Sequence, residues 1–595
     1  MQSQSPYAEY SRRLGAIAES ITRHKRRDDF LAATKLILGL LIVLIAIWFM
    51  KYRATKIFFL LIPILFFVVF AVLHERVLRR LRNFARLRAY YEGGISRIEN
   101  RWAGTGETGE RFLDPAHPYA RDLDIFGPAS LFQLLCTART RTGEETLAKW
   151  LQTAASMPEV GARQAAVQEL TPRLDFRESL VLAGEEVRTG VHPDELIDWA
   201  EREQSFNPIL IRTVAIFLTS LWLFSLAAWW KWDWIGVAFF VSVVNFSVSY
   251  TLRTKLNRAA AGVDGAQHDL ALLAAVLKLI EDEPVAALKF AQLQASLARS
   301  GARASKAIDG LSKCLAWFDS RHNWFIRICD PFVFWTPHWI AAIEAWRDRH
   351  GAAIREWLAV TGEAEALSAL AVYAHEHPAD TFPLFIEGGP YFEAEALAHP
   401  LLARENSVAN DIKVDSDLQL LVISGPNMAG KSTFIRAVGV NAVLAQAGGP
   451  TYARRLTLSS LQVTASICIL DSLQGGLSRF YAEISRLKQI DELTKRSVPV
   501  LFLLDELLSG TNSYDRRIGT ESFVRSLLAR GAIGLVTTHD LALAEIAERI
   551  GPAAANFHFS DRFEDGKLHF DYKLSRGIVQ TTNALLLMRS IGLEV

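Results

Sequence analysis

The sequence predicts an α plus α/β protein: a helical body carrying two membrane-type helical hairpins, then a C-terminal α/β domain with a mostly parallel sheet. Three observations predict it. Four apolar, nearly charge-free runs come in two pairs, amphipathic and tryptophan-rich stretches surround the second pair, and short buried-strand patterns alternate with helical ones after Leu418. At 595 residues the chain exceeds what one hydrophobic core holds, so several domains are expected.

The first pair of runs is Leu36–Met50 and Ile57–Leu73; the second is Thr213–Trp230 and Trp234–Leu252. Each falls slightly short of the roughly 20 residues that cross a bilayer, and Lys35 and Arg212 can snorkel to lengthen the first and third. Trp48, Trp229, Trp230, Trp232 and Trp234 stand at run ends, as in an interfacial aromatic belt. Buried core helices are the competing reading, but such helices rarely come as paired, charge-free runs rimmed by tryptophan. Arg23–Arg27 precedes the first pair, Arg76–Arg88 follows it, and Arg253, Lys255 and Arg258 follow the second. By the positive-inside rule these place the N-terminus and both large soluble parts in the cytoplasm, at a bacterial-type inner membrane. The basic linker Lys51–Lys56 counts against that orientation. The expected organisation is a cytoplasmic segment (1–30), a first hairpin (31–73), a first helical part (74–207), a second hairpin (208–252), a second helical part or lever (253–400), and the α/β domain (401–595).

Net charge is +1, from 65 basic and 64 acidic residues, without the strongly basic balance common in nucleic-acid binders. Cys136, Cys314, Cys329 and Cys468 are too scattered for a disulfide framework or zinc cluster, and fit a reducing compartment. No cleavable signal peptide is expected, because a charged stretch precedes the first apolar run and no small-residue cleavage site follows it. Trp317, Trp324, Trp335, Trp339, Trp346 and Trp357 could stack on bases; the expectation is that they anchor helices in a core.

In the last third, the apolar run Gln419–Ser424 leads into Gly425-Pro426-Asn427-Met428-Ala429-Gly430-Lys431-Ser432, followed by Thr433. A strand, a glycine loop and then a helix is the context in which this spacing cradles phosphates on backbone N–H groups. Lys431 would reach the β- and γ-phosphates, and the Ser432 hydroxyl would coordinate Mg2+, so the expected cofactors are ATP and Mg2+. Val498–Leu504 reads as a buried strand ending in Asp505, expected to hold the metal, and Glu506, expected to orient the attacking water. His539 follows the strand Ala532–Thr538 and is expected to sense the γ-phosphate. Gly475, Gly476 and Ser478 precede a helix, a second anion-binding start in a domain that already has one. That duplication suggests action in trans, with Ser478 closing over a partner's nucleotide in a homodimer. Phe557–Phe563 and Lys567–Leu574 read as a terminal antiparallel pair.

Gly425–Thr433, the serine-phenylalanine-glutamate signature around Ser478, Leu503–Thr511 and Thr537-Thr-His-Asp540 together resemble the MutS family of mismatch-repair ATPases, within the ABC-type P-loop class. The resemblance is patchier upstream, through Gly127–Leu135, Thr140–Gly143, Arg163–Leu170 and the lead-in His399-Pro400. It implies ATP hydrolysis at a dimer interface and DNA as a partner. Two departures stand out: Arg479 replaces the usual threonine, and some thirty residues before the first apolar run leave no room for the family's N-terminal mismatch-recognition domain. The sequence therefore looks like a membrane-bound branch with lipids as further partners. A nucleotide-gated membrane scaffold or an ABC-like membrane machine without DNA binding are the alternatives, the latter weakened by the near absence of charge within the apolar runs.

Overall fold

The computed structural model describes residues 5–52, 61–184, 193–202, 206–260, 267–299, 301–426, 428–467, 479–508, 511–564 and 567–578. It divides into two compact units, 1–105 and 106–595.

The first unit is an antiparallel helical hairpin, Pro6–Tyr52 against Leu61–Ile98. Both helices extend well beyond their apolar runs, so the basic cluster Arg76–Arg88 continues the second helix. Near the polar ends of the runs, His74 bridges Lys35 (3.0 Å) and Asp28 (2.7 Å). Tyr10 and Tyr91 meet edge to face at 5.3 Å farther along. Each helix is long and apolar enough to cross a membrane, and its most apolar window is uncovered by protein.

In the second unit, helices Arg141–Gln152, Met157–Leu170 and Ile354–Glu376 form the centre of the helical body. The crossing of the first and third is very close, since a Cβ on Gly362 would lie 2.5 Å from Thr146 Oγ1 and 2.7 Å from the Thr142 carbonyl. At that crossing Glu365, 2% exposed, accepts hydrogen bonds from the N–H groups of Arg139 (3.2 Å) and Thr140 (3.1 Å) and from the Thr140 hydroxyl (2.5 Å). Thr140 is also the N-cap of the first helix. Trp346 and Trp357 are buried as the core reading expects, but Trp317 and Trp324 are 51% and 73% exposed, and for these two the reading is corrected.

Helices Pro208–Trp232 and Ile235–Ala260 form a second hairpin, also long and apolar enough to cross a membrane. Asn207 caps its start, and Asp233 in the left-handed region (φ 56°) turns the chain between the helices. At that tip Trp230 is 94% exposed.

The α/β region holds two sheets. Strands β1 (Leu384–Phe385), β2 (Phe392–Leu397), β3 (Asn410–Val414), β4 (Leu420–Ser424), β5 (Arg455–Leu458), β6 (Gln462–Ser466), β7 (Val500–Asp505), β8 (Ile533–Thr538), β9 (Ala554–Glu564) and β10 (Lys567–Arg576) follow in order. A mixed sheet runs β1-β5-β2-β3 and a larger one β10-β9-β4-β8-β7-β6. In the larger sheet every neighbouring pair is parallel except β9 and β10, the terminal antiparallel pair expected from the sequence.

The central parallel strands β4, β7 and β8 are mostly apolar and buried, as expected of strands covered on both faces. On β7, Phe502 and Leu504 join Leu487, Ile490, Val524 and Leu527 in one buried cluster. Leu503 faces the opposite way, toward Gly439 on helix Lys431–Ala447, as the two-residue period of a strand requires. Full burial of a side chain such as Phe502 contributes about 2–3 kcal/mol. Inside the same helix, Asn441 is fully buried and donates to the carbonyls of Ala398 (2.9 Å) and Ala437 (2.8 Å), while its oxygen accepts from the Tyr452 N–H (2.8 Å). It thereby ties the helix to the chain on either side of the smaller sheet's β2 and β5.

Candidate active site

Three loops meet where β4, β7 and β8 end. The first turns sharply out of β4. Gly425 has φ 146°, and a Cβ there would lie 2.7 Å from the Phe559 carbonyl, so a larger residue would collide with β9. Gly430, with φ 96°, closes the loop at the start of helix Lys431–Ala447. Its residues differ in setting: Ala429 is buried, Pro426 half-buried, Thr433 exposed, and Met428 84% exposed. Asn427 lies outside the described residues.

Lys431 is only 5% exposed. Its ammonium donates to the carbonyls of Gly425 (2.8 Å) and Pro426 (2.9 Å). Burial lowers its pKa, while the nearby Glu506 and Asp505 carboxylates oppose that shift. The Ser432 hydroxyl donates to Asp505 Oδ2 at 2.6 Å, and the Thr537 hydroxyl donates to the other carboxylate oxygen. Ser432 and Asp505 are thus held together as hard oxygen donors although 73 residues apart.

Glu506 sits with φ 48°, a strained backbone for a non-glycine residue. Its N–H is held by Thr537, through the carbonyl at 3.2 Å and the hydroxyl at 3.3 Å. His539 Nδ1 lies 3.0 Å from Glu506 Oε1. The sequence-predicted Lys431, Ser432, Asp505, Glu506 and His539 therefore converge. Ser478, with the glycines before it, lies outside the described residues. From the same signature, Glu483 is buried and accepts the N–H of Leu508, another left-handed residue in the loop after Glu506. This joins helix Arg479–Leu493 to the loop carrying the acids.

Small-ligand sites are typically clefts of about 300–1,000 Å³, and the cavity here measures about 630 Å³. Lys431, Ser432 and Glu506 line its polar end, and Leu402, Phe559 and Tyr572 its apolar end. Sequence reasoning missed the apolar end. Tyr572 has φ 52° inside a bulge between β9 and β10, and its ring stands against Gly430. Asn410 fixes that bulge, donating to the Tyr572 carbonyl (3.0 Å) and accepting from the Leu574 N–H (2.8 Å). His399 also lines the cleft, and burial lowers its pKa from 6.5 to about 4. Only the His399-Pro400 lead-in hinted at this side.

The loop 114–126 was missed as well. Asp124 pairs with Arg436 on the helix that follows the glycine loop, and Asp122 Oδ1 accepts the Ile467 N–H at 2.8 Å. Arg486 donates to the His117 carbonyl at 2.7 Å. One loop of the helical part thus grips two helices of the α/β region.

Comparison with known proteins bears on the same region. Residues 421–593 match the family description "MutS domain V". Over 203 residues the chain is 36% identical to the "DNA mismatch repair protein MutS" of Brevibacillus brevis, which is 33% of this chain and 23% of the relative. It is 32% identical over 251 residues to "DNA mismatch repair protein MutS 2" of Halobacterium salinarum, covering 41% and 29%. It is 33% identical over 208 residues to "Endonuclease MutS2" of Thermus thermophilus, covering 34% and 27%. The matched region thus spans between 23% and 29% of the length of these relatives. The C-terminal part of this chain, 421–593, is thus similar to domain V of the MutS family.

Proposed function

We propose that the chain is a membrane-tethered, MutS-like ATPase that binds ATP with Mg2+ and hydrolyses it between two copies. The observation that carries this reading is the convergence of Lys431, Ser432 and Glu506 on one cleft, with Asp505 bonded to Ser432 and His539 to Glu506. When bound, magnesium and the nucleotide supply a neutralising cation and a cleavable phosphoanhydride. Gly425, Pro426, Asn427, Met428, Ala429 and Gly430 provide the loop and Thr433 stands in the first turn of the helix after it; their backbone N–H groups, Pro426 apart, take phosphate oxygens. Lys431, bonded to loop carbonyls, can exchange them for phosphate oxygens and gain a charge-assisted bond. Ser432 and Asp505 hold the cation. Glu506 accepts a proton from the attacking water, and His539 orients its carboxylate. Ser478 acts on the partner's nucleotide.

Membrane tethering draws on four helices of sufficient length and apolarity and on the exposed tryptophans at the second hairpin's tip. DNA as the partner draws on what the relatives' names say of them. A second reading, a nucleotide-gated membrane scaffold without DNA, draws on the basic cluster of the first unit: Arg79 and Arg82 pair with Glu75, and Arg88 with Glu92. Salt-dependent DNA binding by the full chain in detergent separates the two, since phosphate contacts steepen the salt dependence.

The site itself is tested by two variants. Lys431→Ala should lose nucleotide binding, and Glu506→Ala should retain binding while turnover falls about 10²- to 10⁴-fold, the usual contribution of a general base. Equal loss of binding in both would remove Glu506 from the assigned role.

A further inference from the structure

Helix Trp324–Val333 has no buried residue, although most of its side chains are apolar. Trp324, Phe325 and Ile328 are 73%, 61% and 60% exposed. At about 100° per residue, Ile328, Phe332 and Phe325 fall about 40°, 80° and 100° to one side of Trp324, whereas Arg327 and Asp330 fall about 60° and 120° to the other. A water-facing apolar stripe of this kind is costly.

Its surroundings join it to the second hairpin. Phe332 stacks on Trp222 of the second hairpin, with centroids 5.3 Å apart and planes at 18°. Asn245, fully buried in the hairpin's other helix, donates to the carbonyls of Leu218 (3.2 Å) and Phe332 (3.3 Å). Leu218 lies six residues past Arg212, about 9 Å along the axis at the helical rise. Amphipathic helices that lie in a bilayer surface bury their apolar face about 5–10 Å deep. A rigid elbow fixes the orientation: Phe334 is left-handed (φ 49°), and both Asp330 oxygens accept from Thr336, N–H at 2.7 Å and hydroxyl at 2.9 Å. Beside it, a cavity of about 430 Å³ is lined by Tyr250, Arg321, His322, Arg327, Asp330 and Thr336. With Arg321 and Arg327 facing the single Asp330 carboxylate, the net formal charge of this lining is positive.

We propose that helix Trp324–Val333 lies in the membrane interface beside the second hairpin, its Trp324–Phe325–Ile328 face among acyl chains and its Arg321–Arg327 edge against anionic lipid phosphates. This rests on the membrane reading above. The test uses the full chain with its native cysteines replaced and single probe sites introduced as Ile328→Cys, Leu221→Cys or Arg299→Cys, all exposed positions. Each carries an environment-sensitive fluorophore in vesicles of phosphatidylcholine and phosphatidylglycerol, with doxyl quenchers near the headgroup or near the chain end. The label at 328 should lose most of its fluorescence to the headgroup-proximal quencher, that at 221 to the deep one, and that at 299 to neither. A quenched 221 with a bright 328 would overturn the inference and leave the span standing; a bright 221 would overturn both. In phosphatidylcholine alone the loss at 328 should shrink, and an unchanged loss would overturn the role of the cationic edge.

Discussion

Lys431 and Glu365 are both ionisable and nearly inaccessible, yet their surroundings are built in opposite ways. Lys431 is bonded to two carbonyls of its own loop and lines a cavity, so its partners can be exchanged for those of a ligand. Glu365 takes three donors from a segment 225 residues earlier, and the carboxylate becomes a staple between two helices. The difference teaches where chemistry is to be sought. Buried charge consumed by distant parts of the chain holds the fold, whereas buried charge held by adjacent carbonyls at a cavity rim is available for ligands.

The contrast is sharpened first by Glu365→Ala. It strands two N–H groups and a hydroxyl, so denaturant titration should show a loss of about 3 kcal/mol, with the folded fraction still binding nucleotide. His399→Gln tests an intermediate case, a buried group that also lines the cleft. Its imidazole has a pKa of about 4 in the folded chain and 6.5 ordinarily. Between those values the unfolded chain binds the proton and the folded one does not, so stability falls as pH drops from 6.5 toward 4. Calorimetry at pH 5 and pH 7 should find about 2 kcal/mol of this dependence missing in the variant. Gly362→Ala pushes a methyl group into Thr146 and the Thr142 carbonyl and should cost about 1–2 kcal/mol. The smallest expected change is in Lys431→Ala without nucleotide, within about 0.5 kcal/mol of the parent, because little but a desolvated ammonium is removed. A large loss there would erase the contrast.

Much of the α/β region was legible because its strands are short, apolar and bounded by glycine or acids. Gln419–Ser424 and Ala532–Thr538 differ from β4 and β8 by one residue at the start. Lys431 could be read from the glycine loop before it, and Asp505, Glu506 and His539 because each sits at or next to a strand end. What stayed hidden depends on contacts between distant segments. Nothing local to Asp124 announces Arg436, and nothing local to Asn410 announces the bulge at Tyr572. The exposure of Trp324 was equally unreadable, since an apolar stripe looks the same whether protein or lipid covers it. The left-handed backbone of Glu506 had no signal, because glycine is the residue that usually announces it.

Asn441 carries a consequence for mutational tolerance. Its carboxamide supplies two donors and one acceptor to three backbone groups with no exposed surface. Aspartate offers no donor, glutamine is one methylene too long for a filled site, and leucine satisfies none of the three. In a saturation library selected for folding, this position inside the helix should return asparagine alone, while its exposed neighbour on the same helix, Thr433, should accept many residues if selection ignores the nucleotide. The helix that opens the candidate site thus contains one position fixed by architecture and another fixed by chemistry, and sequencing the survivors under the two selections would tell them apart.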